Sequence, residues 1–124
     1  SKEPLGPVVA DGDTQWAQVV NWVVLATIQG EEWDLTSANV ASYDGDDSAI
    51  RRFLGLEIET DDGATTFDPG LGLPTDFATQ VISQVGNYDE IFERNVGANT
   101  ALGLSRGVNA LWTDGGLLYA PPYR

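Results

Sequence analysis

Residues 14–29 constrain this chain more than any other stretch, because they read as a helix without a long polar face. Trp16, Val20, Val23 and Thr27 recur at helical spacing, with Val19 and Val24 beside them. Trp22, Leu25, Ala26 and Ile28 make the opposite side apolar as well. A helix that is apolar all round persists in water only when other elements wrap it or a partner covers it. Asp13 is placed to cap its start, since a carboxylate there accepts orphan amide hydrogens and complements the helix dipole. Gly30 is placed to stop it. The longest apolar run, Trp22 to Ile28, is seven residues, whereas a bilayer core needs about twenty. The chain is therefore expected to be soluble, and the cover for its helix must be protein.

The remaining text offers short elements for that purpose. Pro4 and Pro7 flank Val8-Val9-Ala10, which reads as a brief strand or an extended lead-in. A weak element around Leu35–Val40 runs into an acidic turn. Ser48 is expected to cap a short helix, Ala49 to Leu54, ended by Gly55. Residues 56–74 are rich in Gly, Asp and Thr without a sustained period, which predicts an acidic loop. Thr75, after Pro74, is expected to cap a helix from Asp76 to Val85 in which Phe77, Val81 and Val85 stand one turn apart, closed by Gly86. Asn87-Tyr88-Asp89-Glu90 has the form of a capping box, opening a helix towards Arg94 that Asn95 and Gly97 close. A last helix is expected from Leu102 to Thr113, with Leu104, Val108, Leu111 and Trp112 on one stripe. Gly115 and Gly116 stop it before an extended tail. The expected fold is mainly α, with about five helices and at most one short strand. At 124 residues it is read as a single helical domain or domain fragment, 1–124.

Side-chain inventory narrows the chemistry. With no cysteine and no histidine, thiolate and imidazole catalysis and thiolate or imidazole zinc sites are excluded. Nineteen acids against six bases leave a net charge of −13, which repels nucleic acid. Residues 31–76 hold 12 of the acids and 2 of the bases, so the surplus is a local acidic surface. Asp44, Gly45, Asp46 and Asp47 offer hard oxygen ligands, but Ile50, Arg51 and Arg52 follow where a calcium loop needs further oxygens and a distal Glu. No metal or cofactor is expected. Glu90 and Glu93, with Asp89 nearby, read as solvated charges or partners of Arg94 rather than an acid/base pair. Ser105-Arg106-Gly107 has no base near it in sequence, and Lys2 is the only amine nucleophile. Glycines 63, 70, 72, 103 and 107 do not assemble a phosphate loop. The aromatic stretch Trp112 to Tyr123 reads as a tail packed on the core. No catalytic residue is assigned, and the chain is expected not to be an enzyme.

A run of motifs in fixed order adds to this reading. They are Lys2-Glu-Pro-Leu-Gly-Pro-Val-Val9, Gly12-Asp13 with Trp16 and Trp22, Thr36 to Val40, and Ile50-Arg-Arg-Phe-Leu-Gly55. Gln84-Val-Gly-Asn-Tyr88, Ile91 to Gly97, Leu102 to Trp112 and Gly115-Gly-Leu-Leu-Tyr-Ala-Pro-Pro-Tyr-Arg124 complete the series. The pattern resembles the C-terminal part of periplasmic general L-amino-acid-binding proteins, the solute receptors of polar amino-acid ABC transporters. It covers nearly the whole chain and is weakest over 57–73.

That resemblance implies a two-lobed α/β clamp, of which this chain would be the returning segment. It would comprise a crossover strand near Val8 to Ala10 and helices covering the first lobe. Because the chain starts at Ser1, a leader, tag or upstream segment is expected to have been removed. L-Amino acids would then bind only with the missing lobes present, in the periplasm, and the receptor would serve the membrane subunits of an ABC transporter. In such a receptor an Arg fork holds the ligand carboxylate and an acid holds its ammonium. No motif licenses carrying those roles to Arg51, Arg52 or Arg106, which read as surface partners of the acidic loop or of helix carbonyls. No ligand-binding residue is assigned. The alternative is a stand-alone interaction module that binds no amino acid and forms a homo-oligomer through the 14–29 helix. Either way the helix face should be dry. Val20→Asp or Val23→Asp is expected to disrupt folding or assembly by burying an unpaired charge; unchanged melting and unchanged size by light scattering would show the face to be wet.

Overall fold

A computed structural model of the chain describes residues 4–123. Lys2, and with it the first residues of the opening motif, and Arg124 lie outside the described residues. The spine is helix α1, Thr14–Glu32, capped as expected by the Asp13 side chain, which accepts from the Trp16 amide at 3.0 Å. Gly30 does not stop it. The glycine is buried inside the helix, where an added Cβ would meet Ile82 Cδ1 at 2.7 Å. Its lack of a side chain thus allows two helices to approach closely. The stop comes four residues later and is built by Asp34, at φ 53°. Its amide donates to the Glu31 carbonyl (3.1 Å) and the Leu35 amide to the Gly30 carbonyl (2.8 Å), with Leu35 buried behind them. This is a Schellman turn with aspartate in the left-handed position usually given to glycine.

Helix α2, Ser48–Leu54, is capped one residue earlier than expected. Asp47 accepts from the amides of Ala49 (2.9 Å) and Ile50 (3.2 Å), and Gly55 ends the helix at φ 74°. The expected acidic loop contains a small antiparallel hairpin, β1 (Ile58–Thr60) and β2 (Gly63–Thr65), in the register Ile58↔Thr65. A two-residue Asp61-Asp62 turn joins them, and the Thr60 hydroxyl donates to the Gly63 carbonyl at 2.8 Å. So there are two short strands where at most one was expected. That one is not formed: residues 4–10 belong to no helix or strand, with Leu5 and Val8 each 93% exposed.

Helix α3, Phe77–Val85, starts at Asp76 without a side-chain cap, so the cap expected from Thr75 is not made. Helix α4, Tyr88–Asn95, has the full capping box between Asn87 and Glu90. The fifth expected helix is absent. Residues 102–113 hold only short 3₁₀ turns at Gly107–Asn109 and Trp112–Asp114. Gly103 and Gly107 take φ of 58° and 51°, which a right-handed helix does not permit. The backbone groups find other partners instead: the Leu104 amide on Val96, the Leu118 amide on Ala110, and the Trp112 amide on Leu118. Of the expected stripe only Leu111 is buried.

The described fold is thus mostly helical. Helix α1 packs on α3 and α4, and α2 lies against α3 and β1. Phe53, Leu54, Ile82 and Val40 are fully buried at the centre. The extended tail returns to this core, where Tyr123 meets the rings of Trp22, Phe53 and Phe67 edge-on at 5.4–5.8 Å between centroids. No helix of the described residues is long and apolar enough to cross a membrane. Phe53→Ala should destabilise the fold by about 3–5 kcal/mol, whereas Val8→Ala should stay within about 0.5 kcal/mol. Urea denaturation of the two variants checks both; equal losses would contradict this placement of the core.

Candidate functional site

The acidic and basic side chains singled out in the sequence are mostly spent on holding segments together. Glu90 sits in the first turn of α4 and serves two ends. Its carboxylate accepts from the Asn87 amide at 2.8 Å, and from the Ser37 hydroxyl and amide at 2.6 and 3.1 Å. Asn87 in turn donates to the Leu35 carbonyl at 3.0 Å. The turn after α1 is thereby clipped to the start of α4. Glu93 accepts from the Ala98 amide, Arg94 donates to the Val85 carbonyl, and Asp89 pairs with Arg106. These three carboxylates therefore do not converge on a common reacting centre.

Arg106 is the most heavily used cation. Its guanidinium pairs with Glu31 at 2.9 Å and Asp89 at 2.6 Å, and donates to the Asn109 carbonyl. It also lies over the rings of Tyr88 and Phe92, at 5.3 and 5.4 Å. Burial alone would lower its pKa, but the Glu31 and Asp89 carboxylates outweigh this and raise it. Planarity and a fork of donors suit arginine, not lysine, to such a node. It ties the irregular 97–110 segment to α1 and α4. Ser105 and Gly107 flank this node and are exposed.

Arg51 donates to the carbonyls of Glu57 (2.8 Å) and Gly45 (3.1 Å), bracing the turn that precedes α2. Asp44, Asp46, Glu57 and Glu59 border a surface hollow of about 420 Å³ beside it. Asp47 is occupied as the α2 cap. Among the described residues no group of three or more acids is arranged to hold a metal ion. Arg52 differs from the other arginines: it makes neither an ion pair nor a hydrogen bond among the described residues. It lies 5.6 Å from the Phe67 ring centroid. It lines a cavity of about 290 Å³ with Gln29, Trp33, Ser48, Pro122 and Tyr123. Nothing in the sequence distinguishes Arg52 from Arg51; the difference appears only once the tail is in place.

A second opening is apolar. Pro7, Val9, Ala17, Val20 and Val24, with Asn21 as the polar member, border a groove of about 280 Å³ between the lead-in and α1. Trp16, Leu102, Leu104, Val108 and Leu117 are also substantially exposed.

Comparison with known proteins places these features. The general L-amino acid-binding periplasmic protein AapJ of Rhizobium johnstonii is 50% identical over the whole chain. The glutamate/glutamine/aspartate/asparagine-binding protein BztA of Rhodobacter capsulatus is 48% identical, and the putative amino-acid ABC transporter-binding protein YhdW of Escherichia coli is 42% identical. The chain matches a segment of periplasmic amino-acid-binding proteins of ABC transporters. This bears out the resemblance read from the sequence. The chain spans about a third of the length of the curated relatives it matches (35%). A solved ABC-transporter periplasmic binding protein from Brucella ovis, with glutathione bound, superposes with a TM-score of 0.82 at 44% identity. That match covers 94% of this chain and 35% of the other. No family model matches.

Two structural side chains give measurable expectations. Burial works to raise the Glu90 pKa, but hydrogen bonds from Ser37 and the Asn87 amide, with the nearby Arg94 charge, outweigh it and lower the pKa. A carboxyl whose folded pKa is depressed stabilises the fold above its unfolded value, about 4.3, and loses that contribution as pH falls through the folded value. Glu90→Gln should therefore reduce stability at pH 7 and converge with the parent in acid; a constant difference across the titration would refute this. Arg106→Ala, which leaves Glu31 and Asp89 without their cation, should cost about 3 kcal/mol. Hydrogen exchange should show the loss concentrated at residues 97–110; uniform loosening of the core would tell against the node.

Proposed function

We propose that the chain is part of the periplasmic receptor of an amino-acid ABC importer and acts in solute capture, without catalysis. The observation that carries this reading is identity of 42–50% across the full chain to proteins of that kind. The superposition on the glutathione-bound receptor supports it independently. Amino acids or small peptides of that type would be the solutes, and the membrane subunits of the importer the partners.

The chain is read as one unit, 1–124, belonging to the first of two lobes. Its apolar groove and its unpaired lead-in support that assignment. The groove borders the half of α1 that the chain's own elements leave uncovered. Residues 4–10 lie outside every helix and strand, which leaves their backbone groups open to joining a sheet. In this reading the sheet, and the groups that grip the ligand's carboxylate and ammonium, belong to the rest of the receptor. No ligand contact is assigned to this chain.

Self-association is the competing use of the same uncovered face, because burying it returns about 25 cal/mol per Å² of apolar area. Light scattering of the chain at micromolar concentration separates the two uses. A monomer speaks against the oligomeric module.

A chimera tests the receptor reading directly. The matching segment of AapJ is replaced by this chain, and L-amino-acid binding is followed by calorimetry. The expected result is a folded chimera that binds L-amino acids tightly, alongside a 124-residue chain that does not. A folded chimera without binding, or tight binding by the chain alone, would overturn it.

A further inference from the structure

We propose that the cavity between α2 and the tail is a binding site for a small monocarboxylate with an apolar or aromatic body, held by Arg52. The argument starts from an accounting of arginines. Arg51, Arg94 and Arg106 all spend their donors on named carbonyls or carboxylates. Arg52 spends none among the described residues, although its Nε is shut off from solvent without a partner there. A guanidinium carries five donors, and leaving them unused in a half-buried position costs free energy unless an acceptor arrives. Tyr123 lines the same cavity, and its hydroxyl is the other sealed side-chain atom without a partner among the described residues. Burial, with the charge of Asp68 adding to it, pushes this phenol's pKa up. It therefore stays protonated and able to donate.

The shape and charge of the cavity select the ligand class. Among the described residues Arg52 is the cation that lines it, in a chain of net charge −13, so a single negative charge is matched and a polyanion is repelled. Carboxylate fits the planar fork of a guanidinium, and the pair is charge-assisted. Trp33 and Pro122 supply apolar wall, while Ser48 and Gln29 are the neutral polar residues of the lining. A volume of about 290 Å³ lies at the small end for ligand sites, which limits the guest to few heavy atoms. The site does not depend on the receptor reading, since it lies wholly within this chain and requires no clamp.

The test is a titration of the isotopically labelled 124-residue chain with benzoate, followed by amide and indole NMR shifts, with neutral benzamide as control. Benzoate is expected to give saturable shifts at Trp33, Ser48–Arg52 and Tyr123, with a Kd of about 1–10 mM. Benzamide should give none. Arg52→Gln should weaken benzoate binding by about tenfold or more, and Arg52→Lys should recover it only in part. Tyr123→Phe keeps the ring in its aromatic socket and should weaken binding by a smaller factor. Equal response to benzoate and benzamide, no saturable shift, or an unchanged affinity in a folded Arg52→Gln variant would overturn the proposal. Amidating the terminal carboxylate separates a free guest from an internal one. Unchanged benzoate affinity supports a free solute; clear tightening would show that the chain's own carboxylate competes for the cavity, and would overturn the assignment to a solute.

Discussion

The close approach of α1 and α3 at Gly30 and Ile82 is the contact on which the arrangement depends. With 2.7 Å between a notional Cβ and Ile82 Cδ1, only a glycine lets Ile82 reach full burial. Once the helices meet there, the C-terminal half of α1 is dry, and Asn87 and Glu90 fall within reach of the turn that follows it. A helix interior glycine costs about 1 kcal/mol relative to alanine. Here the intimacy of two helices offsets that cost, since buried side chains lose contacts sharply when a gap opens.

The same glycine shows where reading the sequence works and where it stops. Asp13, Asn87, Gly55 and Gly86 act locally, through caps and turns formed within a few residues, and all four were legible. Gly30 is decided by a side chain 52 positions away, so its local signature as a helix stop misleads. The 102–113 segment fails for a related reason. Its apolar residues fall at helical spacing, yet two left-handed glycines and pairing with residues 96 and 118 divert the backbone. The Ile58–Thr65 hairpin is too short to show a period of two, and its Asp-Asp turn lacks the glycine signature of a tight hairpin. The family resemblance was legible because it rests on ordered motifs rather than on periodicity.

Site chemistry divides in the same manner. Carboxylates that look paired in the sequence, Glu90 and Glu93, diverge in space because each satisfies the backbone amides of a different turn. The arginines look equivalent in sequence and are not. Arg106 is drawn into a cage by two acids and two rings, whereas Arg52 is left with a ring face and an open cavity. What separates them is the path of the tail, and that path is fixed by the Tyr123 ring among Trp22, Phe53 and Phe67. No local signal in Ile50-Arg51-Arg52-Phe53 could have carried this.

The distribution of dry and wet surface links these findings to the proposed role. One end of α1 is finished: Ala26 to Gly30 are buried, and the tail is pinned through the Ala120 amide on Glu32. The other end is not, since Trp16 remains 53% exposed and the lead-in beside it pairs with nothing in the described fold. An apolar surface that is closed at one end and open at the other is what results when a cooperative core continues into another body of protein. Random exposure of scattered apolar side chains is ordinary, but here the groove at Val9, Val20 and Val24 adjoins a segment that belongs to no helix or strand. In the proposed role both features would be met by the same thing, a sheet that supplies backbone partners to one and an apolar face to the other. A polypeptide about three times as long, such as the relatives have, provides room for it.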